Sequence, residues 1–254
     1  MKKTFTYLFT TALLLTISAV VMAQDGEHPF VESIHEYTIT PGSTSNNLTW
    51  SILEASGYTI NSQGIVGSNS VANITWTAAG TYTLQFTEDD GTCSTVKQIS
   101  VEVGTNTFDV ATSNPSQTCN NADGQVNFSG STATTSVTFT VDMATGNEGF
   151  NPNWEFAFTL TPGTGATITN VAASAGSLSG TGPYTLSGLT SASGEGTVNI
   201  TMDVTGNIYS LLNVDLEITS AKELSYNTPD ADNTAWAATQ TINPVPNTTN
   251  IITD

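Results

Sequence analysis

Residues 79–103 read AGTYTLQFTEDDGTCSTVKQISVEV, two alternating runs joined by an acidic turn. In the first run Tyr82, Leu84 and Phe86 alternate with Thr81, Thr83, Gln85 and Thr87. In the second, Ile99, Val101 and Val103 alternate with Ser100 and Glu102. Successive strand side chains point to opposite faces, so an apolar period of two predicts antiparallel strands that bury one face. Asp89-Asp90-Gly91 supplies the turn chemistry of the hairpin between them.

The same pattern extends in both directions. Upstream, Leu48-Thr49-Trp50-Ser51-Ile52 and Ile74-Thr75-Trp76 each place their apolar residues on one face. Downstream of Gly104-Thr105-Asn106 a second series begins, with Val126 to Phe128 and then Val137, Phe139, Val141 and Met143. Trp154, Phe156, Phe158 and Leu160 follow, then Tyr184 and Leu186. The clearest runs are Val198, Ile200, Met202, Val204 and Leu212, Val214, Leu216, Ile218. Turn clusters such as Thr161-Pro162-Gly163 and Ser193-Gly194-Glu195-Gly196 separate the strands, and no segment carries a helical apolar stripe. An all-β chain of two tandem sandwiches is predicted: residues 24–104, a larger one over 105–242, and a Pro/Asn/Thr-rich tail, 243–254.

The first 23 residues have the three parts of a secretory signal peptide. Lys2 and Lys3 are the positive region, Phe9 to Val21 the apolar core, and Val21-Met22-Ala23 the small residues before a cut at Gln24. The apolar run is too short for a spanning helix, so a secreted or cell-surface location without membrane insertion is expected. Beyond this peptide only Lys97 and Lys222 oppose 22 carboxylates, and the chain contains no arginine. Phosphate backbones need Lys and Arg to displace their counterions, so nucleic acid is excluded as a partner. Divalent cations, calcium above all, are the cofactor such a surface could recruit.

The stretch WTAAGTYTLQFTEDDGTCSTVKQISVEV, residues 76–103, resembles the C-terminal half of PKD-like immunoglobulin-type domains. There a W/G-T-Y-T-V strand leads through a D-x-x-G-C-S hairpin into an I-x-V-x-V strand. Trp50 is similar to the tryptophan of the family's central strand, although Trp50-Ser51-Ile52-Leu53 replaces the usual W-D-F-G-D-G. The resemblance covers about residues 30–103. It implies an immunoglobulin-like sandwich whose role is extracellular spacing and contact with surface proteins or polysaccharide, rather than catalysis; the second sandwich resembles adhesin-type immunoglobulin-like modules in a general way.

Candidate sites follow from residue chemistry. Cys93 and Cys119 are the only cysteines, and in an oxidising compartment a disulfide between them is one reading. Closing that loop would stabilise the fold by roughly 3–3.5 kcal/mol. Yet the strand after Cys93 sets the hairpin tip roughly 30 Å from the linker, so free thiols and a bridge to another chain stay open. A catalytic thiol lacks a nearby base. His28 and His35 could ligate zinc or copper, but on an extended segment they face opposite ways. For calcium, Asp89 and Asp90 in the hairpin, Asp230 and Asp232 in a later loop, and Asp123 offer oxygen ligands, without the spacing of an EF-hand. Trp154 is in phase with core residues, whereas Trp236, among small residues, is a candidate aromatic contact for a sugar. The sequence thus points to a structural or adhesion protein, capable of self-association through its tail, with a non-catalytic carbohydrate-binding module as the alternative.

Overall fold

Alternating Thr and apolar residues satisfy two demands at once: β-branched side chains suit the pleated backbone, and one face can be buried. The computed structural model, which describes residues 29–120, 126–127, 131–146, 153–191 and 195–246, contains strands and turns and no helix in those residues. The expected signal peptide, His28, Asp123 and the last eight residues of the tail lie outside the described residues. The chain separates into two compact units, one ending at Gly104 and the other running from Thr105, with Glu32–Ile34 grouped with the second.

The first unit is built from β1 (Ile34–Ile39), β2 (Asn47–Ile52), β3 (Tyr58–Val66), β4 (Asn69–Trp76), β5 (Gly80–Asp89) and β6 (Ser94–Val103). One sheet is ordered β1-β4-β3 and the other β2-β5-β6. Strands from the two ends of the unit are thereby interleaved, which is the Greek-key arrangement of an immunoglobulin-type sandwich. Its core joins Trp50, Ile52, Ala72, Ile74, Trp76, Tyr82, Leu84, Phe86, Val101 and Val103. Burying each large apolar side chain contributes about 1.5–3 kcal/mol. The Trp76 and Tyr82 rings lie 4.8 Å apart and Trp50 and Phe86 5.1 Å apart. Trp50, expected on a central strand, is on β2, at the end of its sheet among the described residues.

The turn into β5 is fixed by a tyrosine corner. Tyr82 Oη donates to the Ala78 carbonyl at 2.8 Å, while Thr77 N donates to the Gly57 carbonyl at 2.9 Å. Gly57 sits at φ 97°, and a Cβ there would lie 2.1 Å from Tyr82 Oη. Only glycine combines that backbone with that approach.

The second unit contains β7 (Asp109–Thr112), β8 (Thr118–Cys119), β9 (Val126–Asn127), β10 (Thr132–Ala144), β11 (Asn153–Pro162) and β12 (Thr167–Ala173). It continues with β13 (Ser177–Gly180), β14 (Tyr184–Thr190), β15 (Glu195–Asn207), β16 (Leu212–Glu223) and β17 (Ala237–Asn243). One sheet runs β12-β15-β10-β7, with β9 also on β10, and the other runs β13-β14-β11-β16-β17-β8. β10 and β15 pair without a register shift from Thr132↔Asn207 to Ala144↔Glu195. Their inward residues Phe139, Val141, Ile200 and Val204 are fully buried, as are Phe158, Leu186, Val214 and Leu216 of the other sheet. Trp154, 1 % exposed, stacks on Phe156 at 5.6 Å, which makes it core. The start of the expected tail belongs to the fold: Asn243 closes β17, and Val245 N donates to the Ile208 carbonyl at 2.9 Å.

Candidate functional site

Of the acidic loops expected to suit a cation, two lie among the described residues, and they differ in construction. In the β5–β6 hairpin, Asp89 Oδ1 accepts from Gly91 N at 2.8 Å. Asp90 Oδ1 accepts from Thr92 N and Cys93 N, each at 2.8 Å. These are Asx-type turns, in which a short carboxylate satisfies amides that have no strand partner. The Cys93 and Thr92 amides hold the Asp90 carboxyl below its ordinary range. Among the described residues Asp89 and Asp90 join no group of three ligand side chains; their chemistry is that of the turn.

The second loop does gather a cluster. Asp230 and Asp232 lie between β16 and β17, and Asp109 opens β7, over a hundred residues earlier. Their carboxylate oxygens fall within 4.8 Å of one another, the one group of three or more such side chains among the described residues. Asp230 is 2 % exposed. Its Oδ2 accepts from Val110 N at 2.6 Å, and its Oδ1 from Asp232 N at 3.1 Å and Asn233 N at 2.7 Å. Asp232 Oδ1 accepts from both the amide and the hydroxyl of Thr234, at 2.8 and 2.7 Å. Backbone bonds bind the loop to β7 on both sides, Ala231 N to the Phe108 carbonyl and Thr112 N to the Ala235 carbonyl, each 2.8 Å.

Asp109 is the half-buried member, and its carboxyl is held above the ordinary range. Desolvation is the main cause, and the negative charges of Asp230 and Asp232 add to it. A carboxyl with a raised folded-state value binds its proton more tightly than in the unfolded chain. Keeping it ionised therefore costs stability above that value, and the cost disappears as pH falls through it toward the ordinary carboxylate value. Oxygen donors of this kind suit a hard divalent cation such as calcium, with backbone carbonyls or water completing the shell. Asp109 and Asp232 hold the less committed oxygens, whereas Asp230 already holds three amides. Nothing in the spacing around Phe108-Asp109-Val110 marks Asp109 in the sequence; only the chain's return brings it to the other two.

The remaining candidates are dispersed. Cys93 and Cys119 are both free and exposed, so the disulfide considered from sequence is not formed in this structure. The two cysteines belong to different units. His35, 2 % exposed, packs its ring edge-on against Phe30 with centroids 6.3 Å apart, a core contact. Trp236, expected to stand out among small residues, is half-buried, and its indole Nε1 is buried without a protein partner.

No family model matches the chain, and no curated protein matches it. Among solved structures, it is similar to the C-terminal domain of the AgI/II polypeptide BspA of Streptococcus agalactiae. That match has 9 % identity and TM-score 0.34 and covers 87 % of this chain and 97 % of that one. Domains 4 and 5 of the S-layer protein SbsC match at 14 % identity and TM-score 0.29, over 82 % and 75 % of the two chains. The D0-D1 domain of intimin matches at 11 % identity and TM-score 0.26, over 85 % and 95 %. At these levels the fold rests on the strand order and the tyrosine corner described above.

Proposed function

We propose that this chain is an exported, cell-surface structural or adhesion protein whose two sandwiches act as a spacer and contact module within an extracellular assembly. The observation that carries this reading is the use made of its acidic side chains. Glu88 accepts from Gly42 N and Ser43 N, Glu54 from Thr83 N, and the buried Glu223 from Ser225 N and Tyr226 N. Together with Asp230, which accepts from Val110 N of β7, these carboxylates pin loops to sheets, while Asp89, Asp90 and Asp232 stiffen their own turns. Polar chemistry here serves rigidity, as a load-bearing spacer requires, and the N-terminal leader supplies the route out of the cell.

The test combines location with assembly. Expression of the full chain should yield a product that starts at Gln24 and is open to protease added outside intact cells. Light scattering and negative-stain microscopy of that product, with calcium or EDTA and with or without reductant, should then show ordered multimers. A product that keeps its leader inside the cell overturns the reading. The alternative, a carbohydrate-binding module, rests on Trp236; polysaccharide binding that disappears in Trp236→Ala would decide for it.

A further inference from the structure

Charge is unevenly spread along this chain. Its 22 carboxylates are opposed by four basic residues, yet residues 55–87 and 156–194 contain no Asp, Glu, Lys, Arg or His. They are the two longest such stretches in the sequence. Copies of so acidic a chain repel one another, and their surfaces lose water at low cost only where no charge is buried with it. Each stretch contributes one feature suited to such a contact.

The first carries the tip of the β3–β4 hairpin, where Val66 faces Asn69 across Gly67-Ser68 and Gly67 turns at φ 63°. Ile65 and Val66 are 44 % and 66 % exposed, the one consecutive pair of exposed large apolar side chains among the described residues. The hairpin behind them is pinned. Trp50 N donates to Gln63 Oε1 at 2.9 Å, Trp50 Nε1 to Ser70 Oγ at 3.0 Å, and Thr40 Oγ1 to Asn69 Oδ1 at 2.8 Å. A tip held in this way loses little conformational freedom on docking.

The second stretch builds most of a cavity of about 260 Å³ within the second unit. It opens where the β12–β13 turn passes from one sheet to the other, beside the end of β14 and the start of β15. Trp154, Leu189 and Val198, each buried, form its floor, and no charged side chain lines it. Water takes about 30 Å³ per molecule in the liquid, so the space holds a branched aliphatic side chain. Gly196 keeps it open. It faces inward opposite Met143 in the β10–β15 register, and a Cβ there would meet Met143 Cε and Trp154 Cζ2 at 3.5 Å, an ordinary contact from which a larger side chain would fill the space.

We propose that the hairpin tip of one copy, Ile65 and Val66, docks in this cavity of the next, joining copies through their uncharged surfaces. The inference rests on the assembly reading above and names its joint. Tip-to-cavity docking is heterologous: every docked copy leaves a tip or a cavity free, so the assembly lengthens by the same contact. Two aliphatic side chains make a small interface, in the class of weak contacts that act at high local concentration.

Sedimentation equilibrium of the purified product, from whichever compartment yields it, tests this up to roughly 1 mM, where a millimolar contact becomes visible. Wild type should associate beyond dimers. Val66→Asp, which puts a charge on the tip, and Gly196→Val, which fills the cavity, should each weaken association by about tenfold or more. An equimolar mixture of the two variants should form dimers and nothing larger, since one supplies the intact cavity and the other the intact tip. Thr190→Glu, at the exposed rim of the cavity, replaces Gly196→Val in both arms if circular dichroism shows that variant unfolded. A monomeric wild type overturns the proposal, as do variants that associate like wild type or a mixture that yields no dimer. Export of a monomer removes this joint and leaves the surface reading standing, whereas a retained leader overturns that reading and leaves the joint to the sedimentation result.

Discussion

The hairpin at Asp89–Cys93 and the loop at Asp230–Trp236 use the same local device in different settings. Asp90 accepts from the amides two and three residues ahead, and so does Asp230. The hairpin aspartate is exposed and its bonds are all local. The aspartate of the later loop, Asp230, is buried and adds a bond to Val110, 120 residues away. Burial and that one distant amide turn an ordinary turn into the place where three carboxylates crowd together. The titration senses follow. Asp90, held low, contributes stability above its ordinary value that is lost as pH falls through its folded-state value, whereas Asp109, held high, costs stability that is recovered on acidification.

The largest expected effect breaks the comparison at its buried member. Asp230→Ala leaves three backbone donors without their acceptor and should cost about 3–5 kcal/mol. Calorimetry should show the second unit melting far earlier while the first is unchanged; Asp90→Ala, with the same local bonds in solvent, should cost the first unit much less. Comparable losses from the two substitutions would mean that burial is not what distinguishes them. Next, Gly57→Ala forces a Cβ into Tyr82 Oη on a left-handed backbone, so it should lower the first unit's stability by about 2–4 kcal/mol. A melting temperature within error of wild type would show that the corner is not rigid. The smallest effect is calcium's. Millimolar calcium should raise the melting temperature of the second unit by a few degrees, and Asp109→Asn should abolish the rise while the first unit does not respond. No shift on adding calcium or EDTA would leave the cluster as a site of repulsion alone.

How much of this was legible in the sequence depended on the range of the interaction. β5, β6, β10, β15 and β16 show themselves through alternation because each buries one face. β3 does not: from Asn61 to Val66 its residues are exposed on both faces, so no apolar period marks it. The boundary after Gly104 coincided with a change of strand series. Asp230 and Asp232 were visible as loop oxygen donors, but Asp109 was not, because its membership depends on where β7 returns. Trp236 and Trp154 show the limit for single residues. Phase with Phe156 and Phe158 identified Trp154 as core, while small neighbours gave no indication that the Trp236 indole nitrogen is buried.

The sequence by itself determined the all-β class and the tandem organisation, because strand periodicity and turn chemistry act between residues a few positions apart. It also determined the excess of negative charge, which composition alone sets. Only the tertiary structure decided which strand pairs with which, that Gly57 must leave room for Tyr82, and that Asp109, Asp230 and Asp232 meet. Those outcomes depend on contacts between distant parts of the chain, and burial, which sets the energetic weight of each carboxylate and each indole nitrogen, exists only once those contacts have formed.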